Sequence, residues 1–178
     1  MEQYYFDFDA GRCTACCACV MACMDQNDLD AAHGQHPFRS AFALETPGEK
    51  RGETVFGFLS AACMHCEDAP CVLGCPVGCL FRDGESGLTL YDNANCIGCH
   101  SCAMACPFGA PSFGPDGKMV KCDGCVERLR AGLVPACVRV CPTGALTCRP
   151  KSELAAAQKE KTLRTLAQRL LEEQGKAR

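Results

Sequence analysis

The chain has 178 residues, 19 of them cysteine, and a formal charge of −3 at pH 7. That length bounds it to one or two small domains with a modest apolar core, and the acidic balance argues against nucleic acid as a partner. Hydrophobic residues make up 48% of the chain, but cysteine inflates the figure, since aromatics are only 7% and tryptophan is absent.

No stretch approaches the roughly 18 consecutive apolar residues of a membrane span, and Met1 to Asp9 has neither a basic start nor an apolar signal core. The expectation is a chain that neither spans a membrane nor is exported by itself. A cytoplasmic location also keeps so many thiols reduced, although export with a signal-bearing partner is compatible with the sequence.

At the start of the chain Tyr4, Phe6 and Phe8 alternate with Tyr5, Asp7 and Asp9, a period of two that predicts a short strand. It leads to Cys13, Cys16, Cys19 and Cys23, spaced C-x2-C-x2-C-x3-C and followed by Met24. A short helical stretch after Cys23 ends near Asp28, and His33, Gly34, His36 and Pro37 break the structure. Both histidines read as loop residues and not as ligands. Phe38 to Leu44 and Thr54 to Leu59 flank Thr46, Pro47, Gly48 and a charged 49–53 segment, which predicts a β-hairpin with an exposed tip. Such a hairpin either covers the edge of a neighbouring site or meets a partner.

The second group is Cys63, Cys66, Cys71 and Cys75, spaced C-x2-C-x4-C-x3-C and closed by Pro76. A turn through Arg82, Asp83, Gly84 and Gly87 enters a strand at Leu88 to Tyr91, which delivers the third group: Cys96, Cys99, Cys102 and Cys106, followed by Pro107. Phe108 to Gly117 is rich in Gly and Pro, and Lys118 to Val120 predicts a short strand into the fourth group. Cys122, Cys125, Cys137 and Cys141 read C-x2-C-x11-C-x3-C before Pro142, with a helical turn or two at Val126 to Arg130 inside the spacer. The tail C-P-x-G-[A/C] recurs after Cys75, Cys106 and Cys141, so Cys79 stands where Ala110 and Ala145 stand and reads as a small buried filler. Cys17 and Cys148, the latter on a last predicted strand, also fall outside the four groups. Ser152 to Gln174 predicts a helix with Ser152 as N-cap, Gly175 as stop, and Leu163, Leu166, Ala167, Leu170 and Leu171 on one face.

The third group has the spacing that bacterial-type ferredoxins use to hold a [4Fe-4S] cluster. Three sulfurs of such a run face one cube and the fourth points towards a second, so one run implies a partner run. Four groups of four make sixteen cysteines, the ligand count for four cubes. A disulfide framework fits poorly, because such scaffolds are usually short secreted chains with an even cysteine count. Zinc ribbons pair C-x2-C knuckles and have no reason to repeat a trailing x3-Cys-Pro. Cys96 to His100 also spells the c-type haem attachment string, but the cube already requires both cysteines. There is no G-x-G-x-x-G, phosphate loop or free acid–base pair, which argues against a self-contained flavin or nicotinamide enzyme. The apo chain is not expected to fold.

Four groups in this order, with x4 inside the second and x11 inside the fourth, resemble the four-cluster electron-transfer subunits of molybdenum and tungsten pterin enzymes of the dimethyl sulfoxide reductase and formate dehydrogenase types. Similar subunits serve tungsten aldehyde oxidoreductases, carbon monoxide dehydrogenases and hydrogenases. The likeness runs from about Tyr5 to Leu146 and includes the Cys63 to Asp68 string and Lys121 to Cys125. It implies an α+β fold of two ferredoxin-like dicluster modules, the second inserted in the first, plus a β-hairpin and a C-terminal helix. Residues 1–33 and 112–150 form the first module, 34–60 the hairpin insertion, 61–111 the second module and 151–178 the helix.

By the same resemblance, cluster one takes Cys13, Cys16, Cys19 and Cys141, and cluster two takes Cys23, Cys122, Cys125 and Cys137. Cluster three takes Cys63, Cys66, Cys71 and Cys106, leaving Cys75, Cys96, Cys99 and Cys102 for cluster four. The implied role is a non-catalytic wire between a catalytic Mo/W pterin subunit, of aldehyde oxidoreductase or formate dehydrogenase type, and a second soluble redox partner. That partner would be a flavoprotein subunit or further copies of the complex, because the membrane anchor of many relatives has no counterpart. A hydrogenase or carbon monoxide dehydrogenase subunit is the alternative; an iron-sulfur redox sensor would need an output domain larger than the last helix. The sixteen ligands predict about sixteen irons and sixteen acid-labile sulfides per chain, measured by metal and sulfide analysis. A content near twelve would remove one complete set.

Overall fold

The computed structural model describes residues 2–50 and 52–176 and opens with β1 (Tyr4–Phe8), followed by α1 (Ala18–Gln26). The hairpin strands are β2 (Arg39–Pro47) and β3 (Thr54–Ala62), and α2 (Pro70–Leu73) carries the chain to β4 (Leu80–Arg82) and β5 (Thr89–Tyr91). Next come α3 (Ser101–Ala105), β6 (Ser112–Phe113) and β7 (Met119–Val120). Then α4 (Val126–Arg130), α5 (Ala136–Arg139), β8 (Leu146–Pro150) and the long α6 (Leu154–Lys176) complete the order. Among the described residues no helix is long and apolar enough to cross a membrane.

The strands form two-stranded antiparallel ribbons: β1 with β8, β2 with β3, β4 with β5 and β6 with β7. The β1–β8 pairing, from Tyr4 opposite Pro150 to Phe8 opposite Leu146, brings the start of the chain beside the segment that follows Cys141. Helix α1 packs on α5, and α2 packs on α3. The first and fourth cysteine groups are thereby neighbours, as are the second and third.

The apolar interior is divided into three small clusters, and thiols take part in all of them. Leu80, Met119, Ala69, Cys71 and Cys102 form one; Leu88, Leu90, Val126 and Leu129 form another with Tyr4, Phe6 and Cys148 against them. Cys19, Cys137 and Leu146 make the third, flanked by Phe8, Val20 and Val138. At about 1.5–3 kcal/mol per fully buried aliphatic side chain, so few of them leave little margin over chain entropy. Helices α2 to α5 have four or five residues each, far below the roughly 12–15 at which an isolated helix is even marginal. They persist only where other bonds hold their ends.

Several elements differ from the sequence-based expectation. Helix α1 begins at Ala18, ahead of Cys23, because a left-handed residue at Cys17 turns the chain and places the buried Cys19 and Cys23 one turn apart on the same face. The turn expected after Pro76 contains β4, whose buried Leu80 pairs opposite Tyr91. Inside the Gly- and Pro-rich stretch, Ser112 and Phe113 pair with Val120 and Met119. The hairpin is longer than its apolar runs, reaching Pro47 opposite Thr54, and closes with Gly48 N–H donating to the Glu53 carbonyl at 2.8 Å. Arg51, in the expected charged tip, lies outside the described residues.

Ser152 does not cap α6. It lies within a single 3-10 turn, Lys151–Glu153, and its hydroxyl donates to Glu2 Oε1 at 2.5 Å. Gly175 does not stop the helix, which continues to Lys176; glycine inside a helix costs only about 1 kcal/mol. Leu163, Leu166, Leu170 and Leu171 are all exposed, so among the described residues this stripe is not part of the core.

Candidate metal centres

In each of the four groups the residue just before the second cysteine has a positive φ: Ala15 (49°), His65 (49°), Gly98 (64°) and Gly124 (72°). Cys17, His100 and Cys125 add further left-handed residues in the same loops. For a residue with a Cβ this conformation costs on the order of 1–3 kcal/mol and persists only where something overrides it. Repetition at equivalent places identifies the purpose, which is to curl the chain so that successive sulfurs face inward. Gly124 is needed also for space, since a Cβ there would stand 2.8 Å from Leu88 Cδ1 and 3.2 Å from His65 Nε2.

The sulfurs ring cavities. One is lined by Cys13, Cys16, Cys17 and Cys19 together with Cys141, and another by Cys96, Cys99 and Cys102 together with Cys75 and Cys79. Phe8, Leu146 and Ala145 wall the first; Leu80, Phe113 and Met119 wall the second, with the His100 ring stacked on Phe113 at 3.7 Å between centroids. Two further sets reveal their proximity through electrostatics. Burial pushes the Cys23, Cys122 and Cys125 thiols up, Cys125 to about 11, and the nearby Cys137 adds to the rise in all three. Burial also raises Cys66 and Cys71, and Cys63 and Cys106 add to both.

Backbone amides face many of these sulfurs. Ala15 N–H donates to Cys13 Sγ at 3.5 Å, Gly124 N–H to Cys122 Sγ at 3.3 Å and Met119 N–H to Cys96 Sγ at 3.3 Å. The recurring C-P-x-G-[A/C] tail has the same use: Gly78 and Gly109 take positive φ and turn the next amide back, so Cys79 N–H meets Cys75 Sγ at 3.3 Å and Ala110 N–H meets Cys106 Sγ at 3.5 Å. Burial alone would raise the Cys75 thiol, but the amides of Val77, Cys79, Leu80 and Gly78 outweigh it and leave it below its usual value. At Cys141 burial is likewise outweighed, by the Leu146 amide, the Thr143 hydroxyl and the Ala145 and Thr143 amides.

No disulfide joins any of the nineteen cysteines. Among the described residues no three His, Cys, Asp or Glu side chains converge on a point as ligands of a lone ion do. A larger sulfur-bridged metal group fits instead: soft thiolate donors only, spread around a cavity, with N–H groups aimed at the sulfurs.

The root of the hairpin belongs to the first cavity, where Ala41 and Ser60 form part of the wall. Ser60 Oγ lies 3.5 Å from Cys19 Sγ and accepts from the buried Arg39 guanidinium at 3.1 Å. Its outer half exposes Phe42, Leu44, Val55 and Phe56. The hairpin thus covers a site edge at one end and offers apolar surface at the other. Spacing alone does not single out His65 and Lys121, yet both are buried, Lys121 bonding Cys63 Sγ and the Cys122 carbonyl and His65 lying against Gly124; their positions beside Cys66 and Cys122 are the available signal.

Comparison with known proteins places these centres in a family. A family model described as a 4Fe-4S dicluster domain matches residues 54–150. The B subunit of the anaerobic dimethyl sulfoxide reductase of Escherichia coli K12 is 42% identical over 85% of this chain and 76% of its own length. Its counterpart in Haemophilus influenzae is 38% identical over 86% of this chain and 77% of its own. The thiosulfate reductase electron transfer subunit PhsB of Salmonella typhi is 41% identical over 82% of this chain and 74% of its own.

The three cysteines outside the groups have distinct surroundings. Cys79 is buried, Cys17 is exposed, and burial pushes the half-buried Cys148 up to about 12, where Cys137 and Cys125 also favour its protonated form. At pH 9 alkylation of the intact metal-loaded protein should therefore modify Cys17 first and leave Cys79 and Cys148 unlabelled, as peptide mass mapping would read. Rapid labelling of Cys148 would contradict this packing of β8.

Proposed function

The chain belongs to the 4Fe-4S dicluster family of iron-sulfur electron-transfer subunits, and from that membership we propose how its sixteen cysteine ligands divide and what it connects. It is a non-catalytic subunit of an oxidoreductase complex and holds four [4Fe-4S] clusters. The bound clusters supply one-electron redox chemistry; the chain binds them, spaces them and keeps water away.

Cys13, Cys16, Cys19 and Cys141 hold cluster one, and Cys23, Cys122, Cys125 and Cys137 hold cluster two. Cys63, Cys66, Cys71 and Cys106 hold cluster three, and Cys75, Cys96, Cys99 and Cys102 hold cluster four. The observation that carries this division is the mixed lining of the two cavities, where Cys141 joins the first group and Cys75 joins the third. The β1–β8 ribbon and the packing of α1 on α5 and of α2 on α3 support two nested ferredoxin-like modules, residues 61–111 within 1–33 and 112–150.

The catalytic partner is a molybdenum or tungsten pterin subunit. The relatives named for sulfoxide and thiosulfate reduction favour a reductase over an aldehyde- or formate-oxidising enzyme, so electrons run from this chain to the catalytic subunit. The other partner docks near cluster four, where Leu73 (85% exposed), Met104 (86%) and Ile97 (64%) present apolar side chains, and it is a flavoprotein subunit or another copy of the complex. Clusters are inserted in the cytoplasm, where the thiols remain reduced.

Holoprotein reduced anaerobically should stay reduced when mixed with a sulfoxide or thiosulfate alone, and should re-oxidise when the catalytic subunit is added, followed by its visible absorbance. Re-oxidation without the catalytic subunit would contradict the non-catalytic role. Failure with that subunit present would contradict the proposed partner and direction.

A further inference from the structure

Lys121 is the largest side chain that is fully buried, with 1% of its surface exposed. Its ammonium donates to the Thr89 carbonyl, to the Cys122 carbonyl at 2.7 Å and to Cys63 Sγ at 3.8 Å, and it lies 5.8 Å from the Tyr91 ring centroid. All three N–H bonds are thus directed at protein atoms. Among the described residues no carboxylate pairs with it. The nearest acid along the chain, Asp123, spends its Oδ1 on the Cys125 amide at 2.7 Å.

A buried ammonium bonded only to neutral carbonyls would bear most of the cost of leaving water, so its site requires an anion. The one candidate it touches is a cysteine sulfur. Cys63 and Cys122 belong to different groups, and the one ammonium reaches the sulfur of the first and the carbonyl of the second. Lys121 therefore stands at the seam between the two middle ligand sets. His65, beside it, is buried, and neither ring nitrogen has a hydrogen-bond partner among the described residues, so it offers Lys121 no acceptor. Arg82 is the other nearby cation, but its guanidinium bonds the carbonyls of His65 and Cys66, not a sulfur.

We propose that Lys121 is a positioning residue that acts as a shared counter-charge for clusters two and three, stabilising the extra electron on each and so raising both reduction potentials together. An electron added to either site increases negative charge beside the ammonium, and in a water-poor interior that attraction is weakly screened. A fixed cation at the seam keeps the two middle steps of the wire from becoming the most reducing ones. This rests on the ligand sets given above.

The test compares full-length metal-loaded wild type, Lys121→Met and Lys121→Arg by anaerobic redox titration followed by electron paramagnetic resonance, with iron analysis of each. In Lys121→Met the reduction equilibrium constants of two clusters should fall at least tenfold, about 59 mV for a one-electron couple, while the other two move less than half as far. Lys121→Arg should recover at least half of the loss. Unmoved potentials, or an equal shift of all four, overturns the role of Lys121. If Lys121→Met does not retain its iron, electron–nuclear double resonance on wild type carrying lysine labelled with nitrogen-15 at Nζ decides instead. A nitrogen coupling to a reduced cluster supports the proposal, and its absence overturns it. A wild type lacking one of the four cluster signals would count against the ligand sets themselves.

Discussion

Sulfurs from distant parts of the chain can face a common centre only if the backbone leaves the right-handed region at least once in every cysteine group. Ala15, His65, Gly98 and Gly124 make that departure at equivalent places, and two of them bear side chains that penalise it. The local cost is offset by metal–thiolate bonding, whose free energy is also folding free energy in a small metalloprotein. This ordering explains the rest of the architecture. Ribbons of two to nine residues and one-turn helices are too short to stand alone, and the cysteines of the four groups lie in or beside them.

Charge is the second requirement. Sites built only from thiolates accumulate negative charge, and the chain answers with many small positive contributions and few large ones. Amides aimed at Cys13, Cys75, Cys96, Cys106 and Cys122 supply partial charges that cost nothing to desolvate further, because they are already committed to the loop. Full charges occur where elements meet: Arg39 behind Ser60 at the first cavity, Arg82 across the second group, and Lys121 between the groups. The single-electron function depends on this environment, since cluster type alone leaves the potential free over hundreds of millivolts.

The four cysteine groups were legible in the sequence because ligand spacing is a covalent constraint that does not depend on packing. The Tyr4–Phe8 strand was legible for a similar reason, a period of two strong enough to survive in a ribbon. The short ribbons were not. Ser112 and Phe113 lie in a stretch whose Gly and Pro content reads as loop, and their strand exists only because Met119 and Val120 are returned beside them. Ser152 carries the right residue type for a cap, but a neighbour from the other end of the chain, Glu2, takes its hydroxyl. Left-handed Ala15 and His65 are not legible in the sequence, since any residue with a Cβ takes that conformation in only a few per cent of cases. Lys121 stands in a string that carries the family likeness, but its role is not legible there, and its burial is what distinguishes it.

The central claim is that sixteen cysteines surround four cubes with one sulfur of each set drawn from a different group where the two meet. Anomalous diffraction at the iron edge from crystals of the anaerobically prepared protein tests it most directly. The expected result is four separate four-iron peaks, with Cys141 at the cluster of Cys13, Cys16 and Cys19, and Cys75 at the cluster of Cys96, Cys99 and Cys102. Fewer peaks, or Cys23 and Cys106 bound to the clusters of their own groups, would contradict it.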